Sequence, residues 1–175
     1  EYTTVIYYAE RQLKDPSLVS YYPHINRLIG KSLYHLKEYQ AAQKFYEKLA
    51  KEYSYAWVQV GLAGTLLKQN KIEEATELTD KLLERDDTKF ATYDLLAEYH
   101  IDKEDYQQGY DIIQEATKLA PRSIERNKKS WNLARLNHDR MGQYLATRNI
   151  AKYAKNSIHD SPDLQLNVIR SGLDL

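Results

Sequence analysis

The chain has 175 residues, 42% hydrophobic and 29% charged, with 25 basic and 25 acidic residues and no cysteine. A balanced charge gives no overall drive toward nucleic acid or anionic lipid, and the missing thiols exclude disulfides, thiolate metal sites and cysteine chemistry. No uninterrupted apolar run approaches the roughly 18 residues needed to cross a membrane, and no signal-peptide pattern follows Glu1, so a cytoplasmic location without membrane contact is expected.

The first predicted helix spans Tyr2 to Leu13, with Val5, Ile6, Ala9 and Leu13 on one side. Asp15-Pro16 ends it or opens the next segment, because proline lacks an amide donor and suits a first helical turn. This helix is read as the second half of a pair, and the chain as a piece of a longer protein. A first complete pair covers 23–54. Ile25, Leu28, Ile29, Leu33 and Leu36 line its first helix, with Gly30 at the position of closest packing. Tyr39, Ala42, Phe45, Tyr46 and Leu49 give its second helix a buried face.

The second pair, 56–87, has Val60, Ala63, Leu66 and Leu67 at helical spacing, a break at Asn70-Lys71, and then Ile72, Ala75, Leu78, Leu82 and Leu83. The third, 89–120, repeats the pattern through Tyr93, Leu96, Ala97, Tyr106, Gly109, Ile113 and Ala116, and Pro121 stops it. The small residues Ala42, Ala75 and Gly109 are 33 and 34 residues apart, the period of a tetratricopeptide helix pair. A fourth pair, 123–157, is degenerate. Trp131 falls near the register of Gly30, Ala63 and Ala97, Gln143 falls where a small residue is due, and its packing is expected to deviate. Ser161-Pro162 resembles an N-cap and a first-turn proline, opening a last helix over 162–173 with Leu164, Val168, Ile169 and Leu173. The expected fold is all-α, a right-handed tetratricopeptide-like superhelix or solenoid forming a single domain over 1–175.

The pattern over 23–157 thus resembles tetratricopeptide repeats. Particular strings carry a narrower resemblance: Ala56-Trp57, Gly61-Leu62-Ala63, Ala91-Thr92-Tyr93-Asp94-Leu95-Leu96-Ala97, and Leu119-Ala120-Pro121-Arg122-Ser123 with Arg126-Asn127. Together with Asn156-Ser157-Ile158-His159-Asp160-Ser161-Pro162, they resemble a bacterial response-regulator family. In that family a CheY-like receiver precedes a tetratricopeptide region that serves as output or partner-binding module. The resemblance implies two-component signalling. It carries over no catalytic or phosphorylation residue, because the receiver is not in this sequence.

No enzyme is expected. His24, His35, His100, His138 and His159 are scattered, without a pair at ligand spacing, so neither metal nor cofactor is expected. Glu73-Glu74 open a helix, where carboxylates meet the dipole favourably, and no phosphate-cradling loop or nucleophile elbow is present.

Another protein or peptide is the expected partner, along the first helices of the pairs. The register places Arg27, Lys31 and Tyr34 there, with His24 and His35, then Trp57, Gly61 and Gly64 with Val60 and Leu67 as a bare apolar floor. Asp94 and Glu98 follow, with Leu95, Ile101 and Asp102, and finally Lys128 and Arg135 with Lys129 and Asn132. Such a surface runs basic, apolar, acidic, basic. Its charges either recognise a complementary peptide or simply solvate an exposed face, and Trp57 either anchors a partner or packs on the neighbouring pair. A carboxylate clamp of the chaperone type fails, since Gly61 and Leu95 stand where its later polar residues belong. The basic stretch Arg122, Arg126, Lys128, Lys129 and Arg135 is interrupted by Glu125, which argues against nucleic acid. An adaptor unrelated to two-component signalling is the alternative function.

Overall fold

The computed structural model describes residues 1–155, so the predicted helix over 162–173 lies outside the described residues. Within them are nine α-helices, one 3₁₀ segment and no strand. They run α1 Tyr2–Gln12, a 3₁₀ stretch Pro16–Tyr21, α2 Tyr22–His35, α3 Tyr39–Glu52, α4 Ala56–Lys68 and α5 Ile72–Leu83. Then follow α6 Lys89–Asp102, α7 Tyr106–Leu119, α8 Ile124–Leu136 and α9 Arg140–Ala154. The all-α, tetratricopeptide-like fold class expected from the period is the one found. The chain divides into two compact units, Glu1–Thr92 and Tyr93 onward, with the division falling inside α6.

The repeat is written most plainly in the backbone. Lys37, Asn70, Glu104 and His138 adopt left-handed conformations, with φ of 62°, 59°, 60° and 57°. They are spaced 33, 34 and 34 residues apart, and each follows the first helix of a pair. The next residue's amide reaches back to the helix it leaves: Glu38 N–H to Leu33 O at 3.0 Å, Lys71 to Leu66 at 3.0 Å, Asp105 to His100 at 2.9 Å and Asp139 to Ala134 at 2.8 Å. The left-handed residue itself donates to the carbonyl three residues back. This double closure is a Schellman turn, which satisfies carbonyls that a helix end leaves open. A left-handed conformation costs a side-chain-bearing residue about 1–2 kcal/mol, and asparagine tolerates it best. The second helix then starts at once. Asp105 and Asp139 cap α7 and α9 by accepting from Gln108 N–H at 3.3 Å and Gly142 N–H at 2.9 Å.

So short a turn holds two helices close together, and small side chains permit it. Ala42, Ala63, Ala75 and Ala97 are all fully buried, and Gly30 is buried with them. In the first unit Ala42, Tyr46, Leu49 and Val58 form one apolar cluster and Ala9, Ile25 and Ile29 another, with Leu33 and Phe45 packed against both. In the second unit Ala97, Ile113 and Leu133 form the centre, flanked by Ile101, Tyr106, Tyr110 and Ile112.

Side-chain hydroxyls tie the turns down. Thr88, fully buried before α6, donates to Leu82 O at 2.6 Å, and Thr92 donates back to Thr88 O at 3.0 Å. The helices of the degenerate fourth pair persist as α8 and α9. Its large Trp131 is half-buried, with the Arg135 guanidinium over the ring at 5.9 Å, while Leu133 and Ala134 take the buried positions of α8.

Ala75→Leu should destabilise the protein by about 1–3 kcal/mol, because a fully enclosed methyl leaves no room for three more carbons. A denaturant titration checks it, and unchanged stability would remove Ala75 from the packed seam.

Candidate functional site

In the first unit, α2 packs against α3 and α4, so two first helices lie side by side. Arg27, Gly30, Lys31 and Tyr34 share one face of α2, and Trp57, Gly61 and Gly64 share one face of α4, by the helical spacing of three and four. Arg27 and Lys31 are exposed, Tyr34, Trp57 and Gly61 are half-buried, and Gly64 is buried.

The expected bare apolar floor is corrected by one side chain. Tyr46 of α3 inserts its ring between the two helices. A Cβ on Gly30 would lie 2.7 Å from the Tyr46 Cζ and hydroxyl, and a Cβ on Gly61 would lie 2.5 Å from the same Cζ. Gly61 therefore makes room for a tyrosine of the preceding pair, not for a ligand backbone. Gly64 and Leu67 are buried and offer no open floor either. Trp57 stacks on Tyr55 at 6.2 Å and meets Tyr46 edge-on at 6.4 Å, and Tyr55 in turn stacks on Tyr53 at 5.4 Å. Packing thus accounts for part of Trp57, and its half-exposed remainder faces solvent.

Tyr46 is 3% exposed, yet among the described residues its hydroxyl makes no hydrogen bond. Burial holds its phenol well above the ordinary value of 10.0, at about 12. Tyr34 nearby adds to the rise and the Arg27 cation opposes it. Sequence reasoning placed Tyr46 only in the core. The available signal was its register: the equivalent residues of the later second helices are Thr79, Ile113 and Thr147, none of which needs a pair of glycines.

The expected acidic and basic segments of the second unit meet each other. Arg126 of α8 pairs with Asp94 of α6 at 2.7 Å, and Lys129 reaches Glu98 at 3.0 Å and Asp94 at 3.8 Å. Lys128 turns to Glu125 at 3.1 Å, and Arg135 lies on Trp131. Asp94 and Glu98 are therefore engaged by neighbouring cations, and most of the basic stretch is neutralised within the chain. Several letters that carried the narrower resemblance also have structural work here. Ser123 caps α8, and fully buried Asn127 donates from Nδ2 to Pro121 O at 2.9 Å and Ser123 O at 2.8 Å.

No such neutralisation occurs on α2. Among the described residues neither Arg27 nor Lys31 forms an ion pair. A depression of about 270 Å³ lies among α3, α4 and α5, lined by Leu62, Leu66 and Leu78 and rimmed by Glu47, Glu74, Glu77 and Lys81. Its Lys81 and Glu77 pair with each other at 2.6 Å. Of the histidines, His35 stacks on Tyr2 at 5.0 Å and His100 Nδ1 lies 3.2 Å from Asp105 Oδ2, while His159 lies outside the described residues. Among the described residues no group of three or more histidine and carboxylate side chains could hold a metal ion. No helix among them is long and apolar enough to cross a membrane.

Residues 33–99 match the tetratricopeptide repeat model. That span runs from the end of α2 into α6 and includes the glycine of α4 that receives Tyr46. Among solved structures, the chain is similar to MamA 41-end from Desulfovibrio magneticus RS-1, at 16% identity, covering 90% of this chain and 97% of that one, with a TM-score of 0.56. It is also similar to a MamA RS-1 ArsTM double mutant, at 16% identity, covering 89% and 86%, with a TM-score of 0.55. At that identity the likeness establishes the tetratricopeptide fold alone. No curated protein matches the chain.

Gly61→Ala should cost about 1–3 kcal/mol through overpacking against the Tyr46 ring, and Tyr46→Leu in the same chain should relieve part of that loss. Additive costs in a double-mutant cycle would place the two residues out of contact.

The Tyr46 phenol also sets an alkaline response. An acid whose native pKa is raised keeps its proton after the unfolded chain has lost it, so stability is fully present below about pH 10 and declines as pH rises toward about 12. Tyr46→Phe should therefore lose less stability than wild type between about pH 9 and about pH 11 in paired denaturant titrations.

Proposed function

We propose that this chain is a protein-interaction module, and that its partner lies along α2 and α4 of the first unit. The observation that carries this reading is the contrast in charge pairing. Arg27 and Lys31 stand exposed, without an ion pair among the described residues, on α2, which packs against the helix that carries half-exposed Trp57, whereas Asp94 and Glu98 of α6 are matched by Arg126 and Lys129 of α8. Unmatched charge beside an aromatic on a rigid helical frame is the combination that steers and anchors a protein partner. Tetratricopeptide-type packing supports it, because the first helices of successive pairs form a continuous face in that fold.

We further read the whole of 1–175 as one repeat domain, and as the cytoplasmic output region of a bacterial response regulator. The support for that finer assignment is the set of strings around Trp57, Asp94 and Asn127. A tetratricopeptide adaptor outside two-component signalling uses the same surface and differs only in what precedes it in the full-length protein. A receiver domain encoded upstream is the expected finding, and a different upstream domain would remove the response-regulator assignment.

The surface itself is tested by affinity purification from the source cell with wild type and with the double variant Arg27→Glu, Lys31→Glu. Both positions are exposed, so helical content by circular dichroism should stay unchanged. Loss of a stoichiometric partner by the variant is the expected result. Equal capture by both proteins would place the working surface elsewhere.

A further inference from the structure

The seam between α2 and α4 holds a hydroxyl with no hydrogen-bond partner among the described residues. Tyr46 reaches it from α3, with its hydroxyl within 2.9 Å of where a Cβ on either Gly30 or Gly61 would sit. A side chain at either position would fill the space that the hydroxyl occupies. The residue is 97% buried by its 3% exposure, no described group satisfies the hydroxyl, and that hydroxyl is not among the side-chain atoms fully sealed from water. A hydroxyl on so buried a residue, with no described partner and still reachable from solvent, is placed to bond an arriving group.

The surroundings specify the arriving group. The Arg27 guanidinium lies close enough to Tyr46 to act on its titration, and Lys31 is the next residue on that face of α2. Neither α2 nor α4 contains a single aspartate or glutamate, while they carry His24, Arg27, Lys31, His35 and Lys68 between them. The phenol is protonated at neutral pH, so it has an O–H to donate to an acceptor. We propose that this seam is a carboxylate site. A glutamate or aspartate side chain of an acidic peptide docked along α2 and α4 accepts a hydrogen bond from the Tyr46 hydroxyl and pairs with Arg27, while an apolar neighbour in the peptide covers Trp57.

One cation and one neutral donor suit a planar monoanion, and a guanidinium meets a carboxylate edge-on through two parallel bonds. Lys31 adds longer-range attraction that salt screens. The inference rests on the reading that the partner runs along these helices, and the experiment separates the two.

The protein carries Trp131→Phe so that Trp57 fluorescence alone reports docking, and its tyrosines are labelled with ¹³C at Cζ. The probe is an alternating glutamate–leucine peptide with a blocked N-terminus and an amidated C-terminus, so that only side-chain carboxylates are offered. Its glutamine–leucine counterpart and inorganic phosphate are the comparisons. The acidic peptide should change Trp57 fluorescence and move the Tyr46 Cζ resonance, assigned by its disappearance in Tyr46→Phe. Tyr46→Phe keeps the ring in its notch, and Arg27→Gln alters an exposed side chain, so each should weaken binding roughly tenfold without loss of fold. If the glutamine peptide binds as well, or Tyr46→Phe binds undiminished, the carboxylate site is wrong while the α2–α4 surface stands. If phosphate alone moves the Tyr46 resonance and displaces the peptide, the site is a phosphate site and the proposal fails. If no peptide changes Trp57 fluorescence, both the site and the surface reading fall.

Discussion

Everything in this chain depends on turning one helix back on another within about three residues. The solution is the same four times over: a residue in the left-handed region, two reversed backbone hydrogen bonds, and an immediate restart. That closure fixes where the second helix begins relative to the first, and with it which positions face inward. Ala42 and Ala75 are buried because the turn brings their helix against its partner at that height. Larger side chains there would push the pair apart faster than any gain in buried area could offset. The left-handed residues are lysine, asparagine, glutamate and histidine, of which Asn70 is the best suited to its backbone.

Charge separates α2 from α6 and α8 in a way that composition conceals. A formal net charge of zero hides a pair of helices with no acid and another pair that neutralise each other. Asp94 and Arg126 are each more than two-thirds buried, at 32% and 19% side-chain exposure, so their pair orients α8 on α6 more firmly than a fully solvated bridge would. Lys129 joins two carboxylates at once, Asp94 and Glu98, so the acidic residues of α6 share a cation with α8.

Much of the fold was legible in the residues, because a solenoid repeats its constraints and repetition can be counted. The 33- and 34-residue spacing of Ala42, Ala75 and Gly109 located the turns that Lys37, Asn70 and Glu104 close. The site was less legible. Gly61 reads in sequence as open backbone, and only the tertiary structure reveals Tyr46 in the space it leaves. Asp94 and Glu98 read as a free acidic patch because their partners are about one repeat later, at Arg126 and Lys129, beyond any local pattern. Arg27 and Lys31 were identified as surface cations from register alone, since a helix face follows directly from spacing. That they lack an ion-pair partner among the described residues is a fact about neighbours, which a linear reading does not supply.

The notch that holds Tyr46 is shared: Gly30 belongs to the same pair as the tyrosine, and Gly61 to the pair that follows. The corresponding residue of the next second helix is Thr79, and the counterpart of Gly61 one pair later is Leu95. The helix pairs are therefore not interchangeable bricks. An array with the first two pairs exchanged would present the ring to Leu95 of the helix that then followed, and would leave Gly61 without the ring it accommodates. At this seam the order of the pairs is encoded by a single ring and the two hydrogens that make way for it, so a recombined array, which uniform repeats would tolerate, would meet a steric cost here.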